Sequence, residues 1–167
     1  MTNEEKLQKI IDLAHQVLAD MEYEEVPRLP IEIHVWVDGG CKNPGTENAR
    51  GYYSVRVMGD WGTTHHEERI LIDSIDPQTN NVAEYHALLQ GLFWIKDYKF
   101  WGGSELIVIH TDSQLVIGQL IAGWKINFSY LKHLNHECAQ LLDELRKKHS
   151  IVLMKEPREA IESVLGH

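Results

Sequence analysis

Cysteine is scarce in this chain: Cys41 and Cys138 are the only two in 167 residues, too few for a disulfide framework. A reducing cytoplasm is therefore the expected setting. Long apolar runs are missing as well. Nowhere do about 18 apolar residues follow one another, so no membrane-spanning helix is expected. The amino terminus, MTNEEKLQKI, is polar and acidic, without the basic segment and apolar stretch of an export signal. Basic residues are in short supply, since 16 Lys and Arg face 25 Asp and Glu for a formal charge of −9. That balance argues against nonspecific nucleic-acid binding, because phosphates are met by Lys and Arg. What is present is ordinary for a globular protein, with 43% apolar and 25% charged residues. The length suits one domain with a real core, or one domain plus a short appendage.

Two parts are legible along the chain. Within residues 1–30, Leu7, Ile10, Ile11, Ala14, Val17 and Leu18 recur at helical spacing and predict an amphipathic helix of about four turns. Thr2 and Glu5 have capping-box spacing, and Pro27 and Pro30 bracket a non-helical linker. The helix is expected to pack against the main domain or a second copy, as it lacks the basic and aromatic residues of an accessory nucleic-acid-binding module. From Ile31 the pattern changes. Strands are expected over 31–38, 51–58 and 63–72, with Gly59 to Gly62 as a hairpin turn. A helix over 80–97, a strand over 105–110, helices over 113–122 and 128–148, a strand over 151–154 and a helix over 158–165 follow. This order predicts an α/β fold for residues 31–167, a five-stranded mixed sheet flanked by helices, with the N-terminal helix added.

Carboxylates stand where these elements begin and end. Asp38 closes the first strand before a glycine turn, and Asp112 follows the apolar strand ELIVIH. Sites in open α/β sheets lie at such strand ends. Glu84 faces the sheet if its helix packs the Val82–Leu88–Leu92 side inward, and Glu162 lies on the last short helix. Acids converging from separate segments repel one another unless protonated or bound to a cation. All-oxygen donors suit Mg²⁺ or Mn²⁺ rather than zinc. Two such ions ~3.5–4 Å apart form a phosphoryl-transfer clamp. By position alone, these residues read first as solvated acids at strand ends.

Local sequence separates the two readings. Asp38-Gly39-Gly40-Cys41-Lys42-Asn43-Pro44-Gly45 with Gly51, then Thr79-Asn80-Asn81-Val82-Ala83-Glu84-Tyr85, then Thr111-Asp112-Ser113-Gln114-Leu115-Val116 closely resemble the ribonuclease H type 1 family in order, context and spacing. The resemblance covers roughly residues 31–167 and implies a ribonuclease H-like fold. It implies an endonuclease that cuts the RNA strand of RNA–DNA hybrids with two Mg²⁺ ions, or Mn²⁺, leaving 3′-hydroxyl and 5′-phosphate ends. By that likeness Asp38, Glu84 and Asp112 are metal-binding catalytic carboxylates. Asn43, Asn81 and Gln114 would line the minor groove of the hybrid, and the backbone of Gly39, Gly40 and Cys41 would approach ribose 2′-hydroxyls, the groups that distinguish RNA from DNA. Asn43-Pro44-Gly45 would also shape a turn in any protein.

The fourth carboxylate departs from the family. Short bacterial and archaeal members carry Arg-Glu-x-Asn-x-x-Ala-Asp, whereas here Lys155-Glu156-Pro157-Arg158-Glu159-Ala160-Ile161-Glu162 stands. Register from Lys155-Glu156 places Glu162 on the final aspartate, with Glu159 as its rival, and Arg158 replaces the asparagine. The histidine loop of some members has no counterpart, because Met154 runs directly into Lys155; His167 could substitute only if the tail folded back. His65, His66, His133 and His136 lack metal-ligand spacing and read as surface residues, while His110 reads as a core residue sharing a strand face with Asp112. Trp94, Trp101 and Trp124 read as packing residues. The basic insertion of larger bacterial enzymes is missing, which leaves Lys125 as the expected DNA-strand phosphate contact and predicts weak, salt-sensitive binding. A monomer, or a dimer through the N-terminal helix, is expected.

The charge of −9 divides accordingly. Residues 1–30 hold seven acids and three bases, and the four proposed site carboxylates hold four further negative charges, so the remainder is nearly neutral. Two alternatives stay open: a DNA nuclease on the same sheet, and a hybrid-binding protein with a weakened site.

Overall fold

The computed structural model describes residues 2–20, 31–98 and 105–166, with the side chains of residues 16–20 excepted. The Pro27 and Pro30 linker, Trp101, His167 and the Val17 and Leu18 side chains lie outside the described residues. Ten elements follow in order: α1 (Asn3–Asp20), β1 (Glu32–Lys42), β2 (Arg50–Gly59), β3 (Gly62–Leu71), α2 (Asn80–Asp97), β4 (Leu106–Thr111), α3 (Gln114–Leu120), α4 (Ser129–Arg146), β5 (Ser150–Lys155) and α5 (Arg158–Leu165).

The strands form one mixed sheet in the order β3-β2-β1-β4-β5. β1 pairs antiparallel with β2 and parallel with β4, and β4 pairs parallel with β5. Alternation in β1 buries Ile33, Val35 and Val37 on one face, the period expected of a strand with one covered side. That face meets α2, whose Val82, Leu88, Leu92 and Ile95 are buried, and α4 adds Leu131, Leu134, Cys138 and Leu142 to the same core. α5 packs on the opposite face through Ile161 and Leu165, both fully buried, against β1 and β2.

Two sequence expectations change here. The glycine stretch after Asp38 is not a turn: β1 runs on to Lys42, pairing Gly39 with Tyr53 and Lys42 with Arg50. Pairing with β4 ends at Trp36 and His110. Asp38 therefore lies just beyond the β1–β4 ladder but inside the β1–β2 hairpin, which continues because its partner supplies backbone donors and acceptors beyond that point. The reversal comes at Asn43, whose φ of 51° is the left-handed conformation asparagine tolerates, followed by Gly45 at φ 79°.

The second change concerns α1. Thr2 and Glu5 make the expected capping box, with the Glu5 N–H donating to Thr2 Oγ1 and the Thr2 N–H to Glu5 Oε2. Yet Leu7, Ile10, Ile11 and Leu13 are all exposed. Among the described side chains of α1 none is buried against the main domain, which leaves packing on a second copy as the other arm of the expectation.

Candidate active site

Three chain segments bring acids together where β1 and β4 part. Asp38 is buried on β1, at 3% exposure. Asp112 follows the last residue of β4, just before Ser113 caps α3 by accepting from the Val116 N–H. Glu84 stands in the second turn of α2, a helix that opens at Thr79, whose hydroxyl accepts from the Val82 N–H. The buried Val82–Leu88–Leu92 side of α2 turns Glu84 toward the strand ends.

Gly39 lets this helix come close. A β-carbon there would lie 2.2 Å from the Ala83 carbonyl carbon and 2.3 Å from the Glu84 nitrogen, so only glycine permits the approach. The Gly39 N–H also lies close enough to the Glu84 carboxylate to favour its charged form. A β-carbon on Gly40 would lie 2.3 Å from the Tyr52 hydroxyl, the far end of a side chain that can turn aside.

One oxygen each of Asp38, Glu84 and Asp112 lies within 4.8 Å of the others. The electrostatic consequence is visible in their titration. Burial, then Asp38 and Asp112, push the Glu84 carboxyl well above its ordinary range, with the Gly39 N–H and Arg158 pulling it back. Burial and Asp38 likewise raise Asp112, against the pull of Arg158. Glu84 Oε2 and Asp112 Oδ1 are buried and accept no hydrogen bond. Clustered oxygens left without donors fit a hard divalent cation, and the set contains no sulfur or nitrogen ligand.

Glu162 is not a member of this group of three among the described residues. It lies on α5, bonded by the Arg158 Nε at 2.8 Å, while the same guanidinium reaches Asp112 Oδ2 through Nη1 at 3.5 Å. A single arginine thus joins Glu162 to the cluster's edge. Glu159, its rival, is exposed.

The remaining expected residues spread around the cluster. Asn43 is exposed in the β1–β2 turn, Asn81 is exposed at the second position of α2, and Gln114 is exposed at the first position of α3. The Cys41 N–H donates to Asn80 Oδ1 at 2.8 Å, so the first asparagine of the pair ties α2 to β1 while the second faces outward. Lys125 is exposed in the α3–α4 connection. Trp124 packs one ring face over Gly118, but at 48% exposure it is only half the packing residue expected.

Sequence reasoning placed His110 on the strand face of Asp112 but missed its partners behind the acids. His110, stacked on Trp36, joins His34 Nδ1 at 2.8 Å through Nε2 and Glu156 Oε1 at 2.8 Å through Nδ1. The Glu156 N–H donates to the Thr111 carbonyl. This ties the segment leading to Glu162 onto β4. The available signal was the alternation that puts Glu32, His34, Trp36 and Asp38 on one face of β1.

Known proteins share this chain's sequence pattern and fold. The family model described as RNase H matches residues 31–156. A ribonuclease H of Clostridium botulinum strain Hall is 29% identical over 132 residues, covering 74% of this chain and 81% of that protein. Among solved structures, RNase H1 from the halophilic archaeon Halobacterium salinarum NRC-1 superposes with a TM-score of 0.62 at 26% identity, covering 78% of this chain and 89% of that one. LC11-RNase H1 in complex with an RNA/DNA hybrid shares the fold, with a TM-score of 0.58 at 24% identity over 78% of this chain and 89% of that one.

Proposed function

This chain belongs to the RNase H family and is a ribonuclease H enzyme; on that premise we propose that it is an endonuclease hydrolysing the RNA strand of RNA–DNA hybrids. Water adds to phosphorus, the bond from phosphorus to O3′ breaks, and O3′ takes up a proton, leaving 3′-hydroxyl and 5′-phosphate ends. The observation that carries this reading is the convergence of Asp38, Glu84 and Asp112 within 4.8 Å from three separated motifs.

Asp38, Glu84, Asp112 and Glu162 would hold two Mg²⁺ ions, or Mn²⁺. Bound there, such ions activate the attacking water and stabilise charge on the leaving oxygen. The protein's own part is to hold the oxygens in place. Gly39 sets the distance between Asp38 and Glu84, Ser113 fixes the start of α3 beside Asp112, and α5 carries Glu162. Around them Gly39, Gly40, Cys41, Asn43, Asn81 and Gln114 would read the minor groove and the 2′-hydroxyls, and Lys125 would meet a phosphate. Residues 31–167 form the catalytic domain in this reading, with 1–30 as an appended helix and linker. The protein works in the cytoplasm as a monomer, or as a dimer through α1. No described helix is long and apolar enough to cross a membrane.

A second reading, a hybrid-binding protein of weakened activity, draws on the position of Glu162, paired to Arg158 outside the group of three. One assay separates them: cleavage of a labelled hybrid, double-stranded RNA and double-stranded DNA with Mg²⁺ or Mn²⁺. The enzyme reading expects cutting of the hybrid that Asp112→Asn abolishes. Failure to cut with either metal overturns it, and preferential cutting of DNA transfers the site to the DNA-nuclease alternative.

A further inference from the structure

Arg158 holds a position that the four-carboxylate scheme does not use. Its Nε lies 2.8 Å from Glu162 Oε1, one turn along α5, and its Nη1 lies 3.5 Å from Asp112 Oδ2. The backbone beneath it is held in place. Ile161 and Leu165 are fully buried, Arg56 Nη1 donates to the Val164 carbonyl, and Glu156 is bonded to both His110 and Thr111. The side chain itself is 60% exposed, so the long arm can leave while α5 stays docked. A guanidinium is permanently charged and forks between carboxylate oxygens.

We infer that Arg158 is a built-in counter-ion, bridging Asp112 and Glu162, that a divalent cation must displace before Glu162 can serve as a ligand. The inference rests on the metal-site reading above and deepens it. Without metal, the arginine offsets one of four negative charges and keeps Glu162 Oε1 engaged at the cluster's edge, outside the group of three. Loading the site exchanges that internal cation for a divalent one. Apparent metal affinity is therefore lowered by the interaction that is given up, and removing the arm should raise it.

The test is calorimetric titration of Mn²⁺ into the metal-free, full-length protein without nucleic acid, for wild type, Arg158→Ala and Arg158→Gln. Gln keeps the aliphatic stem and a polar end if Ala disturbs α5. Since the pair is largely exposed, both neutral variants should bind Mn²⁺ roughly 1.5- to 5-fold more tightly. Their melting temperatures in EDTA should fall below wild type, and that gap should close or reverse at saturating Mn²⁺. If wild type binds Mn²⁺ and the folded variants bind no more tightly, the counter-ion role is overturned while the metal site stands. If neither wild type nor variants bind Mn²⁺, the metal-site reading falls, and this inference with it.

Discussion

His110 Nδ1 lies 2.8 Å from Glu156 Oε1, joining the strand that ends at Asp112 to the segment that leads into the helix of Glu162. The His110 ring is nearly buried and the Glu156 side chain largely so. Burial lowers the His110 pKa, against the pull of the Glu156 hydrogen bond. Two halves of the acidic site are thereby braced from behind. Glu156→Ala leaves His110 Nδ1 without its partner and should cost about 1–3 kcal/mol in urea unfolding. Glu156→Gln, which keeps one hydrogen bond, should cost less.

Glu162 and Glu159 make opposite predictions. Loss of groups that merely orient a metal ligand costs 10–100-fold in general, so Glu162→Gln should lower kcat by roughly 100-fold or more. Glu159→Gln, altering an exposed side chain, should leave kcat within about twofold. Steady-state cleavage of a labelled hybrid distinguishes them, and the reverse pattern would move the fourth ligand to Glu159.

Gly39→Ala tests the close approach of α2 to β1. The new β-carbon would press on the Ala83 backbone, which has no flexible side chain to yield. The helix start must shift, at a cost of about 1–3 kcal/mol or more. Activity should fall further than stability alone explains, because Glu84 moves with the helix. Paired unfolding and kinetic measurements read both quantities.

Acid stabilises the metal-free site. Glu84 titrates well above its ordinary value in the folded protein. Between the unfolded and folded pKa the native state binds the extra proton, so this group's contribution to stability decreases as pH rises through that window. Glu84→Gln removes the charge. In EDTA, the variant should melt higher than wild type at pH about 8, and the advantage should shrink as pH falls toward 5. His86 and His110, both lowered by burial, act in the opposite sense below pH about 6.5, but they are common to both proteins and cancel in the difference.

Lys125 should matter to binding and not to chemistry. Lys125→Ala should raise KM for the hybrid with little change in kcat. The slope of log affinity against log salt should decrease by about one contact's worth. Fluorescence anisotropy at several salt concentrations measures it, and an unchanged slope removes Lys125 from the interface.

Much of this molecule can be read along the chain because the signals are local. The alternation of Ile33, Val35 and Val37, the helical spacing from Val82 to Leu92, and the caps at Thr79 and Ser113 each act over a few residues. Asp38, Glu84 and Asp112 stood out for the same reason, each within a short motif. Tertiary structure decided what depends on partners distant in sequence. β1 continues through its glycines because β2 pairs with them, and Gly39 is indispensable because Ala83 lies against it. Glu162 takes its place from Arg158 and from an anchor at His110, 46 residues away from Glu156. No periodicity encodes such contacts, since each arises only when the sheet brings β4 beside β5 and lays α5 across its face.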